Sequence, residues 1–429
     1  MSELEIEKYF DRLWPICRSI TGNGLRESLK ILQELIPLNL TEIPSGAKVF
    51  DWEIPQEWNI KDAYLLTPNG KKICDFKVNN LHLVNYSIPV NMEIEYENLL
   101  PHLHYIENLP DAIPYITSYY KRTWGFCLTY NDFKSLPVSG TYRVVIDSSL
   151  NNGSLTYGDI LLEGESEKEI LFSTYLCHPS MANNELSGPL VLSLLYKRIS
   201  QIKNRKYSYR FVVAPETIGI IAYLFKHGMQ LKENLSAGYV ITCCGDKGDF
   251  TYKRSKRGNS LADKIAEHVL SYSGRKFNSE NFSVGGSDER QYCSSGFNLP
   301  VGSLTRSMYQ RYKEYHTSLD NKSFINFSSI LESVDMYESF FRALELNALY
   351  ESEILFCEPN LGKRDLYPNV VNPLADRKKI HNLLHFLSYA DGKIDLLEIA
   401  EKRGVSIFDF AEIVQTCISK DLIKVKAFV

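Results

Sequence analysis

The sequence contains no apolar run approaching the roughly 20 residues that a membrane-spanning helix requires. Its first stretch, MSELEIEKYFDRLW, is charged from the start. It lacks the basic segment and following apolar segment of an export signal, so none is expected. No CxxC pair occurs among the nine cysteines, which are odd in number and scattered. That argues against a cysteine-built zinc site and for reduced, buried thiols in a cytoplasmic protein. An excess of positive charge is also missing. The formal net charge of -4 offers no field to draw the chain onto nucleic acid or an anionic membrane. There is no internal repeat and no low-complexity segment.

What is present is a soluble globular composition, 44% hydrophobic and 23% charged, in 429 residues, which is too long for one ordinary core. The 27 tyrosines are read first as fillers of half-buried strands. Over 3–36, Tyr9, Phe10, Leu13 and Trp14, then Leu25, Leu29, Leu32 and Ile36, recur at helical spacing. Gly22-Asn23-Gly24 divides two helices and Pro37 ends the second. From 41 to 164 short alternating runs at 48–52, 63–66, 72–78, 142–146 and 154–162, punctuated by Asn-Gly pairs, predict a mainly β unit. From 167 onward strands at 169–176, 209–214, 237–244 and 299–304 alternate with helices at 186–202, 218–227, 260–273 and 327–349. That alternation predicts an α/β domain with a mostly parallel sheet. The last stretch predicts helices at 376–389, 395–403 and 406–420 and a strand at 422–428, with Ser406 as an N-cap. This is the order of a winged helix. The expected domains are therefore 1–40 with 161–370, an inserted β unit at 41–160, and a winged helix at 371–429.

In open α/β sheets ligands gather beyond the carboxyl ends of strands. His178 follows the first strand of the α/β region, Glu216 the second and Asp246 the third. His316 lies in a late loop, and Asn184 and Glu185 open a helix. Alone, each is more often a cap, a turn residue or a surface charge. Together, two histidines and two carboxylates at strand exits match the ligand types of zinc. The remaining histidines are read as structural. His102 and His104 lie in the β region. His381 and His385 have the spacing of a helical metal clip but lack the glutamate of HExxH.

The motifs CHPSMANNELSG, APETIG, GGSDERQY, LPVGSLTRS and EYHTSLDN, spread in order along the chain, resemble the co-catalytic zinc aminopeptidases. They are most similar to a bacterial family of aminopeptidase-like proteins with an inserted β domain and a C-terminal winged helix, associated with surface polysaccharide biosynthesis loci. The resemblance implies a zinc-exopeptidase-like mixed sheet flanked by helices. It makes His178, Asp246 and His316 the metal ligands, Glu216 the general base and Asp288 a supporting residue. Arg290 and Tyr292, which follow Asp288, are candidate contacts to a substrate carboxylate or oxyanion. Two positions depart from the pattern. Asn184 stands where a bridging aspartate is expected, with Glu185 beside it as a substitute ligand. Thr217 stands where a second glutamate is expected. One zinc is therefore expected rather than two.

The expected activity is metal-dependent hydrolysis of an amide or peptide bond in a small substrate. The alternative is a catalytically impaired module that binds or regulates. The segment 406–420 carries Asp409, Glu412, Phe408 and Phe410 where a DNA reader would be basic. Protein contact or homo-oligomerisation is the expected role of the winged helix, not nucleic-acid binding.

Overall fold

A computed structural model describes residues 2–366 and 373–429. The expected domain boundary at 370–371 lies outside the described residues. The central sheet has eight strands: β1 (Asn39–Pro44), β2 (Ser154–Leu162), β3 (Glu169–Tyr175), β4 (Ser208–Ala214), β5 (Leu235–Ile241), β6 (Phe250–Lys253), β7 (Phe277–Glu280) and β8 (Val301–Thr305), in the order β1-β2-β4-β3-β5-β8-β6-β7. The middle pairs β4–β3, β3–β5 and β5–β8 are parallel. β1–β2, β2–β4 and β6–β8 are antiparallel, and β6–β7 at the edge is parallel. Every residue of β3 and β4 is buried. Their apolar residues suit a sheet covered on both faces, and the buried charges pair inside it, Arg210 with Glu169.

Alternation along the strands separates two cores. Ile170 and Phe172 of β3 face α1 (Glu3–Leu13), α2 (Asn23–Leu32), α3 (Ser187–Ser200), α5 (Leu261–Tyr272) and α6 (Phe327–Leu346). Leu171 and Val212 face α4 (Ile218–Asn234) and the inserted unit, where Trp58, Leu65 and Val144 close the core. The first 36 residues thus pack on the main domain, joining two separate pieces of chain.

The inserted unit is a four-stranded antiparallel sheet in the order Lys72–Ile73, Glu57–Leu66, Thr141–Asn151, Val90–Glu95. Its strands lie within 57–151. β1 and β2, which frame it, pair with each other from Asn39 against Asp159 and extend the main sheet through β4. β2 pairs with β1 and β4 in the main sheet, while its Leu155 and Tyr157 pack in the core that the insert closes.

At the C-terminus a three-stranded sheet places Leu349–Ser352 between Asp391–Asp395 and Ile423–Ala427. Its first strand precedes the boundary read from sequence, because that short strand follows α6 with little punctuation. The helix expected over 406–420 is two pieces, a 3-10 turn Ile407–Phe410 and a helix Ala411–Ser419. Ser406 caps the turn by accepting from the Phe408 N–H. No helix among the described residues is long and apolar enough to cross a membrane.

One buried hydrogen bond ties this unit to the main domain. The Ile407 N–H donates to Nε2 of His268 on α5 at 2.9 Å. Nε2 can accept only while unprotonated, and burial lowers the His268 pKa to about 4. An unfolded histidine titrates near ~6.5. Below that pH the unfolded chain takes the proton and the folded one does not, so the stability His268 lends is full above pH ~6.5 and drains towards pH ~4. The drop in Tm from pH 7 to pH 5 is expected to be smaller in His268→Gln, whose amide oxygen accepts the same bond without titrating. Equal drops in the two proteins would remove His268 from the account.

Candidate functional site

β3 ends at Tyr175 and the chain runs on through Leu176 and Cys177 to His178. β4 ends at Ala214 and leads through Pro215 to Glu216 and Thr217, which caps α4. His316 arrives on the loop before α6. Four non-glycine residues at these turns have backbones in the left-handed region: Ser180 (φ 46°), Thr217 (φ 62°), Cys243 (φ 49°) and His316 (φ 53°). Such conformations cost about 1–3 kcal/mol each and collect where side-chain placement is under constraint.

His178 is buried, and Glu185 holds it from one side. The Glu185 Oε2 accepts from the His178 backbone N–H at 3.0 Å and from Nδ1 at 2.9 Å. A proton on Nδ1 leaves Nε2 free to face the other way, 3.6 Å from Oε2 of Glu216. The His316 ring centre is 5.3 Å from that of His178. Behind Glu185 lies Arg18, from the turn between α1 and α2. Its Nε is 3.5 Å from Oε1, and both side chains are fully buried. Arg18 also donates to the Leu13 carbonyl and the Ser28 hydroxyl.

Burial disfavours the His178 cation, yet Cys177 and Glu185 together hold its pKa well above the ordinary value. His316 goes the other way, to about 3, through burial and the neighbouring His178 charge. The Glu216 carboxyl is raised by burial, against the pull of His178, a Ser287 hydrogen bond at 3.1 Å and Arg290. A carboxylate lifted in this way suits proton transfer near neutral pH.

The structure brings His178, Glu185, Glu216 and His316 together and moves other candidates away. Asp246, expected as the third-strand ligand, is fully engaged elsewhere. Its Oδ1 accepts from the Gly248 N–H at 2.6 Å and the Ser307 hydroxyl at 2.7 Å, and its Oδ2 from the Asn183 amide at 2.8 Å. The residue at the exit of β5 is instead Thr242, and Cys243 then turns the chain. Tyr292, expected at the substrate, lies in the core and donates to Ser173 at 2.9 Å. Asp288 is buried as a support. Its Oδ1 accepts from the Thr217 N–H at 2.7 Å, and burial and the nearby Glu216 push its pKa well up. Arg290 donates through Nη2 to the Thr217 hydroxyl at 2.8 Å. Asn184 accepts from the Tyr175 hydroxyl, which also lies 2.5 Å from Thr242 Oγ1.

Several wall residues escaped the sequence reading. Tyr115, from the inserted unit, sets its ring 5.0 Å from His178 and 5.3 Å from His316. Its N–H donates to the His316 carbonyl at 2.8 Å, and the Ser318 N–H donates to Ile113 at 2.9 Å. The insert is thus stitched directly to the loop carrying His316. Tyr315 stacks on His316 at 4.0 Å. Nothing local in the sequence marks Tyr115. Arg18 carried one signal, a lone charge in the otherwise apolar turn ICRSI.

Two places could hold a cation. Cys177 Sγ, His178 Nδ1 and Glu185 Oε2 lie within 4.8 Å of one another. Burial raises the Cys177 thiol to about 11, and Arg18 already supplies the positive charge beside Glu185, so this group does not fit a metal. The opposite side fits better. Two imidazoles on one tetrahedral zinc at about 2.0–2.1 Å bring their ring centres to about 5 Å, and neighbouring donor atoms to about 3.3 Å. The His178 and His316 ring centres, 5.3 Å apart, match the two-imidazole spacing, whereas the donor atoms of His178, His316 and Glu216 are not gathered within 4.8 Å of one another, and Glu216 stays outside the ligand set. Glu185 on Nδ1 is the carboxylate that usually orients a metal-bound imidazole. Where two adjacent ions would need further carboxylates, Asn184, Thr217 and Thr242 are neutral.

Sheet order and site together define an aminopeptidase-like α/β protein with a C-terminal winged helix. The chain belongs to the family described as a domain of unknown function, DUF4910, which matches residues 7–347, and residues 348–425 match a winged helix-turn-helix family. A Clostridium acetobutylicum protein named for polysaccharide biosynthesis and an aminopeptidase-like domain is 47% identical over 401 residues, covering 94% of this chain and 92% of its own. The crystal structure of a chain called a peptidase from the same organism superimposes with a TM-score of 0.92 at 44% identity, over 99% of this chain and 96% of that one. A zinc aminopeptidase from Bacillus subtilis shares the fold at 10% identity, with a TM-score of 0.55 over 78% of this chain and 93% of its own.

Proposed function

We propose that the protein is a metal-dependent hydrolase of the aminopeptidase type, acting on an amide or peptide bond in a small substrate, with one zinc seated between His178 and His316. The observation that carries this reading is the pair of imidazoles with ring centres 5.3 Å apart and Glu216 3.6 Å from His178 Nε2. Zinc bound there would acidify a water and polarise the scissile carbonyl. Glu216 takes the proton of the attacking water and passes it to the leaving amine, so that amide and water become carboxylic acid and amine. Glu185 fixes the His178 ring, and Arg18 keeps the Glu185 charge compensated. Tyr115 and Tyr315 wall the site against bulk water.

Metal content tests the reading. Protein purified without chelator and reconstituted with zinc is expected to hold about one zinc per chain by mass spectrometry. His178→Ala and His316→Ala are each expected to lose it. Two zincs would make Asn184 or Glu185 a ligand, and none would remove the hydrolase reading.

A second reading rests on the same 3.6 Å distance, from which Glu216 would close on the ion as a third ligand. With Glu216 so used and Asn184, Thr217 and Thr242 neutral, no base remains, and the domain binds its ligand without cleaving it. The Clostridium relative's name supports a place in polysaccharide biosynthesis, where the amide would sit on an amino sugar. We place the protein in the cytoplasm on its nine free cysteines. For the winged helix we propose protein contact or self-association. Asp409 and Glu412 on its would-be reading face are paired by Lys378 at 3.3 Å and Lys379 at 2.8 Å, which leaves little positive charge for phosphates.

A further inference from the structure

We propose that the site selects an amide that carries a carboxylate and lacks a free ammonium, and that Arg290 reads the carboxylate. This rests on the hydrolase reading and narrows its substrate.

A free ammonium would meet buried carboxylates that are each engaged through at least one oxygen, with Glu185 Oε1 facing Arg18 and Asp288 Oδ2 left unpartnered. Glu185 serves His178 and Arg18. Asp288 accepts from Thr217, and Asp246 from Asn183, Gly248 and Ser307. Asp320 accepts from the backbone N–H groups of Asn183 and Asn184 at 2.6 and 2.8 Å. Glu216 is left for the water. The positions that would add negative charge are Asn184, Thr217 and Thr242, and the first and last are tied together through Tyr175. A substrate ammonium would find only Asp288 Oδ2 unpartnered, on a carboxyl that burial and Glu216 hold towards its neutral form, and burying a cation without a counter-charge is costly.

A carboxylate meets the opposite situation. Arg290 is held beside Glu216 by its bond to the Thr217 hydroxyl. Its Nε is buried with no hydrogen-bond partner, and it makes no ion pair among the described residues. A guanidinium with unused donors, fixed at one edge and half-buried, is the form in which proteins grip carboxylates in two-pronged fashion. Thr217, where a metal-binding glutamate was expected, is thereby reused to aim a cation.

Three ligands of one size separate the charges: N-acetyl-L-alanine (anion), N-acetyl-L-alaninamide (neutral) and L-alaninamide (cation). Binding is measured by NMR titration on the full-length zinc-free protein, which removes direct carboxylate–zinc contact. N-acetyl-L-alanine is expected to bind at least about tenfold tighter than the other two. Arg290→Gln is expected to abolish the preference at unchanged Tm, and Arg290→Lys to keep part of it. Equal affinity for the three, including none, or a preference that survives Arg290→Gln, would overturn the proposal. Turnover is scored separately on zinc-loaded protein. Anion preference without hydrolysis of any amide overturns the hydrolase reading alone. Hydrolysis of L-alaninamide faster than N-acetyl-L-alanine overturns the substrate class alone.

Discussion

Glu216→Gln is expected to retain about one zinc per chain and to lower kcat by about 10²–10⁴-fold, the range for loss of a positioned general base. That corresponds to about 3–5 kcal/mol of barrier. The substitution keeps the size of the side chain and its bond from Ser287, so the pocket should stay intact. What disappears is a carboxylate whose pKa burial raises. If zinc departs together with activity, Glu216 is a ligand and the ligand-binding reading prevails. If activity persists unchanged, the water's proton goes elsewhere. The outcome matters because 184, 217 and 242 are neutral and the nearby carboxylates of Glu185 and Asp288 already accept from His178 and Thr217.

Arg18→Met is expected to destabilise the fold by about 3–5 kcal/mol, because it leaves Glu185 buried without its counter-charge. The same change should weaken zinc binding about 10–100-fold through loss of the fixed His178 ring. The double variant Arg18→Met/Glu185→Gln is expected to recover most of the stability, since a neutral amide can accept from His178 without a cation behind it. Urea unfolding of the four proteins measures the coupling. If the double variant is as unstable as the sum of the singles, Arg18 acts through its bonds to Leu13 and Ser28 and not through Glu185.

The α/β order, the winged helix and the positions of His178, Glu216 and His316 were legible in the sequence by itself. The reason is local. A strand buried on both faces is rich in apolar residues, as the ILF of EILFSTY shows, and the polar residues that follow such strands fall at one edge of the sheet. The loss of charge at Asn184 and Thr217 was legible too, because each lies within a motif. Only the tertiary structure decided which polar atoms still have capacity to act. Asp246 looks like a ligand until Asn183, Gly248 and Ser307 are seen to occupy it. Glu185 becomes the support of His178 only through Arg18, which comes from the far end of the chain. Tyr115 reaches the site on an inserted unit whose sequence points only to a sheet. Apolar periodicity is written residue by residue along the chain. The pairing of buried charges and hydrogen-bond donors is set by which distant segments meet, and folding alone settles that.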